Sequence, residues 1–190
     1  MGPVVIQTER LNLREWTAGD VDDLMVLATD LEVMRYINGG VPLARGDIVD
    51  FIERQTTAQR ERGWCRWALE VRQPAEGEPR GVAGFCGPGC TFAPDVELGW
   101  WIHPALWGRG LATEAGQAAV GYCFGAVGFE RLICCVHPEN ARSLRVAEKV
   151  GFVPVDEIEH RGMRIIRHEL LNPRPGPPRD PRFSRDCLGG

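Results

Sequence analysis

The chain has 190 residues, of which 44% are hydrophobic and 25% charged, with a formal net charge of -4. A chain of that length and balance buries a full core without metals or cross-links, and its mild acidity argues against any general affinity for nucleic acid or an anionic membrane. No apolar run is long enough to span a bilayer, and the opening MGPVVIQTERLNLREW lacks both the order of a secretion signal and, with Ile6 where Ser or Thr is needed, the myristoylation pattern. The expectation is a cytoplasmic protein with reduced thiols. Five of its seven cysteines, Cys65, Cys86, Cys123, Cys134 and Cys135, lie in apolar runs and read as core residues. Cys86, Cys90, Cys134, Cys135 and His137 do not make a zinc set, because neighbours on a strand such as Cys134 and Cys135 point to opposite faces. No metal is expected.

Leu11 to Trp16 alternates as a half-buried strand. Thr17 with Asp20 three residues on is a capping-box-like helix start, followed by Val21, Leu24, Ala28 and Leu31 at helical spacing. A second helix fits Asp47 to Arg62, with Ile48, Phe51, Ile52 and Gln55 on one side and Gly63 as its stop. Three strands follow, CRWALEV from Cys65, GVAGFCG from Gly81 and VELGWWI from Val96, separated by polar turns. A glycine turn then opens a helix running to about Val127. Arg131 to Val136 reads as a buried strand and NARSLRVAEKV as a helix closed by Gly151. FVPVDEI and RIIRHELL form a final strand pair. The order is mixed α/β with hairpins at both ends, without the regular βαβ alternation of a doubly wound sheet. Residues 1–171 are expected to form one domain. The tail 172–190, rich in Pro, Gly and Arg, is expected to be disordered or loosely docked.

The stretch HPALWGRGLATEA places Gly108, Arg109 and Gly110 at the mouth of a helix with no acidic residue before Glu114. The first amides of a helix have no internal partner, and the helix dipole adds positive charge there, so such a turn can hold an anion. Arg109 adds a formal charge suited to phosphate. The dinucleotide pattern fails at Thr113, where its third Gly or Ala should stand, and a P-loop would need Gly-Lys-Ser/Thr. A pyrophosphate carried by another cofactor remains, beside a purely structural alternative: Gly116, Ala118, Ala119 and Gly121 make the helix small-faced and able to pack tightly.

ELGWWIHPALWGRGLATEA followed by HPENARSLRVAEKVGF resembles the GCN5-related N-acetyltransferases (GNAT), most closely the branch of ribosomal-protein N-terminal acetyltransferases. TERLNLREW, VMRYING and GFCG fit the same branch, so the resemblance spans roughly Thr8 to Leu171. It implies an acyl-CoA N-acyltransferase fold, a mostly antiparallel sheet splayed between its fourth and fifth strands, here VELGWWI and RLICCV. Acetyl-CoA would lie in the split, against Trp100, Trp101 and Ile102. Trp107, Gly108, Arg109, Gly110, Leu111 and Ala112, running into Thr113, match the turn that wraps the CoA pyrophosphate with backbone N–H groups. Trp107 departs from the Gln or Arg that many members carry, but Trp is common there in this branch.

The implied chemistry is transfer of an acetyl group to a primary amine by direct attack, so no cysteine need be a nucleophile. That requires a neutral amine, a polarised thioester carbonyl and a proton for the leaving thiolate. Glu97 is the candidate base, on a strand face it shares with Gly99 and Trp101; the alternative is a strand carboxylate paired with a surface arginine. Asn140 reads as the N-cap of its helix and Ser143 as the N3 residue. The family implies in addition that Asn140 holds the pantetheine arm and that Ser143 lies near the sulfur as the acid. The tyrosine that other members carry in this helix is missing here, where the only tyrosines are Tyr36 and Tyr122. Arg142, Arg145 and Lys149 either meet the nucleotide phosphate or form a solvated face. His103 and His137, each before a proline, read as turn residues.

The acceptor should lie over the first two helices and RYINGGVPLARG. Trp64, Trp67, Trp100 and Trp101 either wall that side or belong to the core. No acidic cluster marks a polyamine or aminoglycoside pocket, though Glu97, Asp95 and Glu32 are available. A protein N-terminus, a polyamine, an aminoglycoside and an amino acid all stay open as acceptors. So do a homodimeric assembly and two non-enzymatic readings, an acyl-CoA sensor and a packing scaffold.

Overall fold

The computed structural model describes residues 1–177, 183 and 187. Eight strands form one sheet: β1 (Val4–Gln7), β2 (Leu11–Arg14), β3 (Trp67–Val71), β4 (Val82–Gly89), β5 (Glu97–Ile102), β6 (Arg131–Val136), β7 (Val153–His160) and β8 (Met163–Leu171). Their spatial order is β1-β2-β3-β4-β5-β6-β8-β7. Every neighbouring pair is antiparallel except β5 and β6, which run parallel and register at the single pair Glu97 and Ile133. One further bond, from the Ile133 N–H to the Val96 carbonyl at 3.0 Å, holds the same end. Beyond it the two strands separate. This is the expected split, shifted by one in the count because the short edge strand β1 precedes those read from the sequence.

Among the described residues five α-helices pack around the sheet: α1 (Val21–Thr29), α2 (Leu31–Met34), α3 (Arg45–Arg62), α4 (Leu111–Tyr122) and α5 (Ala141–Val150). α3 begins two residues earlier than the pattern suggests, since Asp47 accepts from the Ala44 N–H at 2.8 Å and caps it there. It buries Ile48 and Ile52 and ends at Gly63 in the left-handed region (φ 77°). α4 runs into a π-helical turn over Cys123–Val127 before Gly128 stops it. A Cβ on Gly116 would stand 2.8 Å from Val150 Cγ2, so glycine at that one position lets α5 close on α4, whereas a Cβ on Gly121 would meet open space. No described helix is long and apolar enough to cross a membrane.

The core runs through both sides of the sheet. Trp64 and Trp67 are fully buried in it rather than facing an acceptor; large aromatic area is best spent where water is excluded. One part of the core is ionic. Arg14 on β2 donates to both Asp20 oxygens (2.8 Å each) and to Glu70 Oε1 on β3 (2.7 Å), all three side chains being buried. Asp20 also accepts from the Thr17 N–H at 2.7 Å, so the anticipated capping pair does double duty. Burial alone would raise the Asp20 carboxyl. Hydrogen bonds from Arg14 and Thr17, with the Arg14 charge, outweigh that and hold it below the ordinary range.

The thiols need one correction. Cys65, Cys86, Cys123 and Cys134 are free and buried and Cys135 is free and half-buried, but Cys90 and Cys187 form a disulfide. Their Cα atoms lie 5.3 Å apart across a separation of 97 residues, a proximity made by the returning chain and invisible to local pattern. The expectation of a disordered tail falls partly on residues outside the described ones. Of the others, Phe183 packs at Gly63 and Tyr122, and Cys187 is held at Cys90.

Replacing Arg14 by Met strands two carboxylates in the core and should cost about 3–5 kcal/mol, read as a drop in the urea midpoint. Asp20, depressed when folded, stabilises fully above its unfolded pKa. The wild type should therefore lose stability as pH falls below about 4, a slope that D20N flattens; an unaltered slope would remove Asp20 from that role.

Candidate active site

The split opens onto two adjoining cavities of about 510 and 570 Å³, each in the range that holds a small ligand. The first, the donor cleft, runs between β5 and the starts of α4 and α5. It is lined by Trp100, Trp101, Ile102, Trp107, Gly108, Gly110, Leu111, Ala112, Thr113, Asn140, Arg142 and Ser143, together with Arg145 and Lys149. Twelve of the thirteen residues expected at the donor thus converge there, from segments up to 43 positions apart in the chain. The thirteenth, Arg109, turns its guanidinium away to an ion pair with Glu78, so only its backbone belongs to the turn.

Gly110 is the residue before α4, in the left-handed conformation (φ 77°) and with no side chain capping the helix. The first intrahelical bond comes from the Glu114 N–H to the Gly110 carbonyl (3.0 Å), leaving the amides of Leu111, Ala112 and Thr113 for a ligand. Glu114 points the other way. It accepts from Thr8 Oγ1 (2.5 Å), the Arg10 N–H (3.0 Å) and Arg10 Nε (2.6 Å), while Arg10 Nη1 donates to the Arg109 carbonyl (2.9 Å). The turn is braced from behind, and an acid that would repel an anion is taken out of its path. Arg142 stacks over the Trp107 ring at 4.3 Å, and the Trp107 Nε1–H donates to the Ile102 carbonyl at 2.7 Å, fixing one wall. Uncapped amides, glycine backbone and three cations in one cleft fit a pyrophosphate-bearing ligand.

The second, the acceptor cavity, lies on the other side of β5, under α3 and the β7–β8 turn, and holds Glu97. The predicted alternation is observed. Glu97 and Gly99 face Arg66, and Trp101 packs on Phe85 with ring centroids 4.9 Å apart. Arg66 Nη2 donates to Glu97 Oε2 at 2.5 Å and to Thr91 Oγ1 at 2.8 Å. Burial pushes the Glu97 carboxyl above its ordinary value, and the neighbouring Arg66 and Thr91 only partly offset it. Arg66 was not anticipated, although a lone arginine in the apolar run CRWALEV is a signal in itself. Of the other acids considered, Asp95 pairs with Arg131 and Arg167, and Glu32 lines the donor cleft.

The two cavities share Tyr36, Ile37, Trp100, Trp101, Asn140 and Ser143. Asn140 Oδ1 accepts from the Ser143 N–H at 3.1 Å, the helix cap read from the sequence, now at the rim of both spaces. Tyr36 lines both cavities and stacks on His137 with ring centroids 5.0 Å apart. His103 and His137 are turn residues, their Nδ1 atoms accepting from Ala105 and Glu139 N–H groups at 3.2 Å. Burial pushes the free thiols up, Cys86 and the cavity-lining Cys135 to about 12, which removes them as nucleophiles near neutral pH. Among the described residues no three His, Cys, Asp or Glu side chains gather as a metal site.

A sheet split at one parallel pair, with a cleft at the free amides of α4 on one side and an adjoining cavity on the other, has the layout of a two-substrate group-transfer protein. The model of the acetyltransferase (GNAT) domain matches residues 10–153, and the chain belongs to that family and is an acetyl-CoA-dependent acetyltransferase. The uncharacterized N-acetyltransferase YoaA of Bacillus subtilis is 28% identical over 148 residues, covering 78% of this chain and 82% of that protein. A GNAT-family acetyltransferase from Bacillus anthracis superposes with a TM-score of 0.73 at 26% identity, over 89% of this chain and 99% of that one. The spermidine N-acetyltransferase of Vibrio cholerae, solved with CoA and spermine, shares the fold with a TM-score of 0.66 at 20% identity, over 87% and 97%.

Gly110→Asp places a carboxylate and a strained backbone in the turn. Acetyl-CoA affinity measured by calorimetry should fall at least about 100-fold, with the circular dichroism of the fold retained. Unchanged affinity would reject this turn as the pyrophosphate site.

Proposed function

We propose that residues 1–171 form an N-acetyltransferase domain that moves the acetyl group of acetyl-CoA directly onto a primary amine. The observation that carries this reading is the shared rim: a donor cleft and an acceptor cavity that meet at Tyr36, Trp100, Trp101, Asn140 and Ser143. A thioester in the donor cleft and an amine in the acceptor cavity can then meet there without an enzyme-bound intermediate. The Vibrio neighbour, solved with CoA and a polyamine, is the same fold with a donor-type and an amine ligand together.

In this scheme the first amides of α4 hold the pyrophosphate, and Arg142, Arg145 and Lys149 lie along the nucleotide. Asn140 orients the pantetheine arm. Glu97, its carboxyl raised by burial, takes the proton that the attacking amine loses, directly or through water. The C–N bond forms, the C–S bond breaks, and the departing thiolate takes its proton from Ser143. Tyr36 is the second reading for that donor, since like Ser143 it lines both cavities.

Glu97 works deprotonated and its pKa is raised. The rate constant kcat should therefore climb with pH through a midpoint above the ordinary carboxylate value. Glu97→Gln should lower kcat about 100-fold and abolish that limb, while keeping an acceptor for Arg66; a variant that keeps the limb excludes Glu97 as base. Ser143→Ala should lower kcat with acetyl-CoA affinity within about twofold. If Ser143→Ala is silent and Tyr36→Phe carries the loss, the proton comes from Tyr36.

A further inference from the structure

The carboxylate, arginine and histidine side chains lining the acceptor cavity are Asp47, Arg54, Arg66, Glu97, His160 and Arg161. Of the two carboxylates, Glu97 is already bonded to Arg66, and Asp47 is bonded to the Ala44 N–H at the start of α3. Among the described residues neither Arg54 nor Arg161 makes an ion pair. A cavity for a polyamine needs carboxylates that are free to meet several ammonium groups. This one presents arginines in excess.

Arg66 is built in. Its guanidinium lies over two glycines: a Cβ on Gly89 would stand 2.8 Å from Nε, and one on Gly99 3.2 Å. It also lies over the Phe85 ring at 5.9 Å. Its backbone is fixed at both ends, the N–H donating to Gln55 Oε1 (2.9 Å) and the carbonyl accepting from Trp16 Nε1 (2.5 Å). Among the described residues all its side-chain hydrogen bonds leave from Nη2, the buried Nε has no partner, and Nη1 has no acceptor. Its side chain keeps 17% of its surface exposed, in the cavity. A fixed arginine with an unfilled donor, beside further unpaired arginines, is a receptor for a carboxylate or phosphate oxygen.

We propose that the acceptor is a small primary amine that carries an anionic group, a carboxylate or a phosphate, near the amine. Arg66 fixes that group, and Arg54 and Arg161 complement its charge. This rests on the transferase reading above. Glu97, bonded to the same arginine, then lies next to the anchored molecule, and the amine is directed to the rim shared with the donor cleft.

The test is a matched set of three-carbon or shorter amines with acetyl-CoA: β-alanine, O-phosphoethanolamine, neutral β-alaninamide and dicationic 1,3-diaminopropane, each read by thiol release and product mass. At least one anionic amine should exceed both the neutral and the dicationic one in kcat/KM by about tenfold or more, the size of a charge-assisted hydrogen bond. β-Alanine ahead assigns a carboxylate, O-phosphoethanolamine a phosphate. Arg66→Gln and, separately, the exposed Arg54→Gln should compress the anionic-to-neutral ratio by a comparable factor; a ratio cancels any general effect on Glu97. Calorimetry with CoA present should show the same loss of affinity for the anionic amine. Equal use of all four amines, preference for the diamine, or ratios unmoved in both variants would overturn the anionic acceptor while leaving amine acetylation intact. Acetylation of none of the four, or of an acidic peptide N-terminus alone, overturns it too; only failure with every amine and peptide also removes the transferase reading.

Discussion

β5 and β6 run parallel in a sheet that is otherwise antiparallel, and they pair only at Glu97 and Ile133. A parallel neighbour needs a long crossover, and here that crossover is the turn 103–110 with α4. The strands part after one registered pair, so β5 exposes an unpaired edge at its Trp100–Ile102 end, and the start of α4 is brought beside it. The donor cleft, the acceptor cavity and the rim between them are all consequences of that one interruption. Had the ladder continued, the space would be filled by backbone hydrogen bonds.

Contacts on several sides hold the split open. On one side Gly116 lets α5 approach α4, so that Asn140 and Ser143 reach the rim. Behind the glycine turn, Glu114, Thr8 and Arg10 tie α4 to the start of β2. Further along the sheet, Arg14 binds Asp20 and Glu70, fixing the entry to α1 against β2 and β3. These charged groups do different work. The Arg14 cluster is saturated by its own partners and is structural. Arg66 keeps a buried Nε without a partner among the described residues, beside its bond to Glu97.

Much of the architecture was legible because it is carried by short-range pattern. The amphipathic spacing of Ile48 and Ile52, the stops at Gly63 and Gly151, the Asn140 cap and the strand face shared by Glu97 and Gly99 each depend on residues a few positions apart. What escaped is held by distant partners. β1 is too short to show a period. Arg66 and Tyr36 acquire meaning only through β5 and α5. Arg109 looked like a phosphate ligand until Glu78, 31 positions earlier, drew it aside. Trp64 and Trp67 could not be told from pocket walls by composition.

The sequence by itself therefore determined the order of elements, the glycine turn before α4 and the family resemblance, since all three reside in local order and spacing. The tertiary structure alone decided which side chains share a cavity. It set a saturated ion cluster apart from an unsatisfied arginine and brought Cys90 to Cys187. Those outcomes depend on three-dimensional distance, and separation along the chain does not encode it.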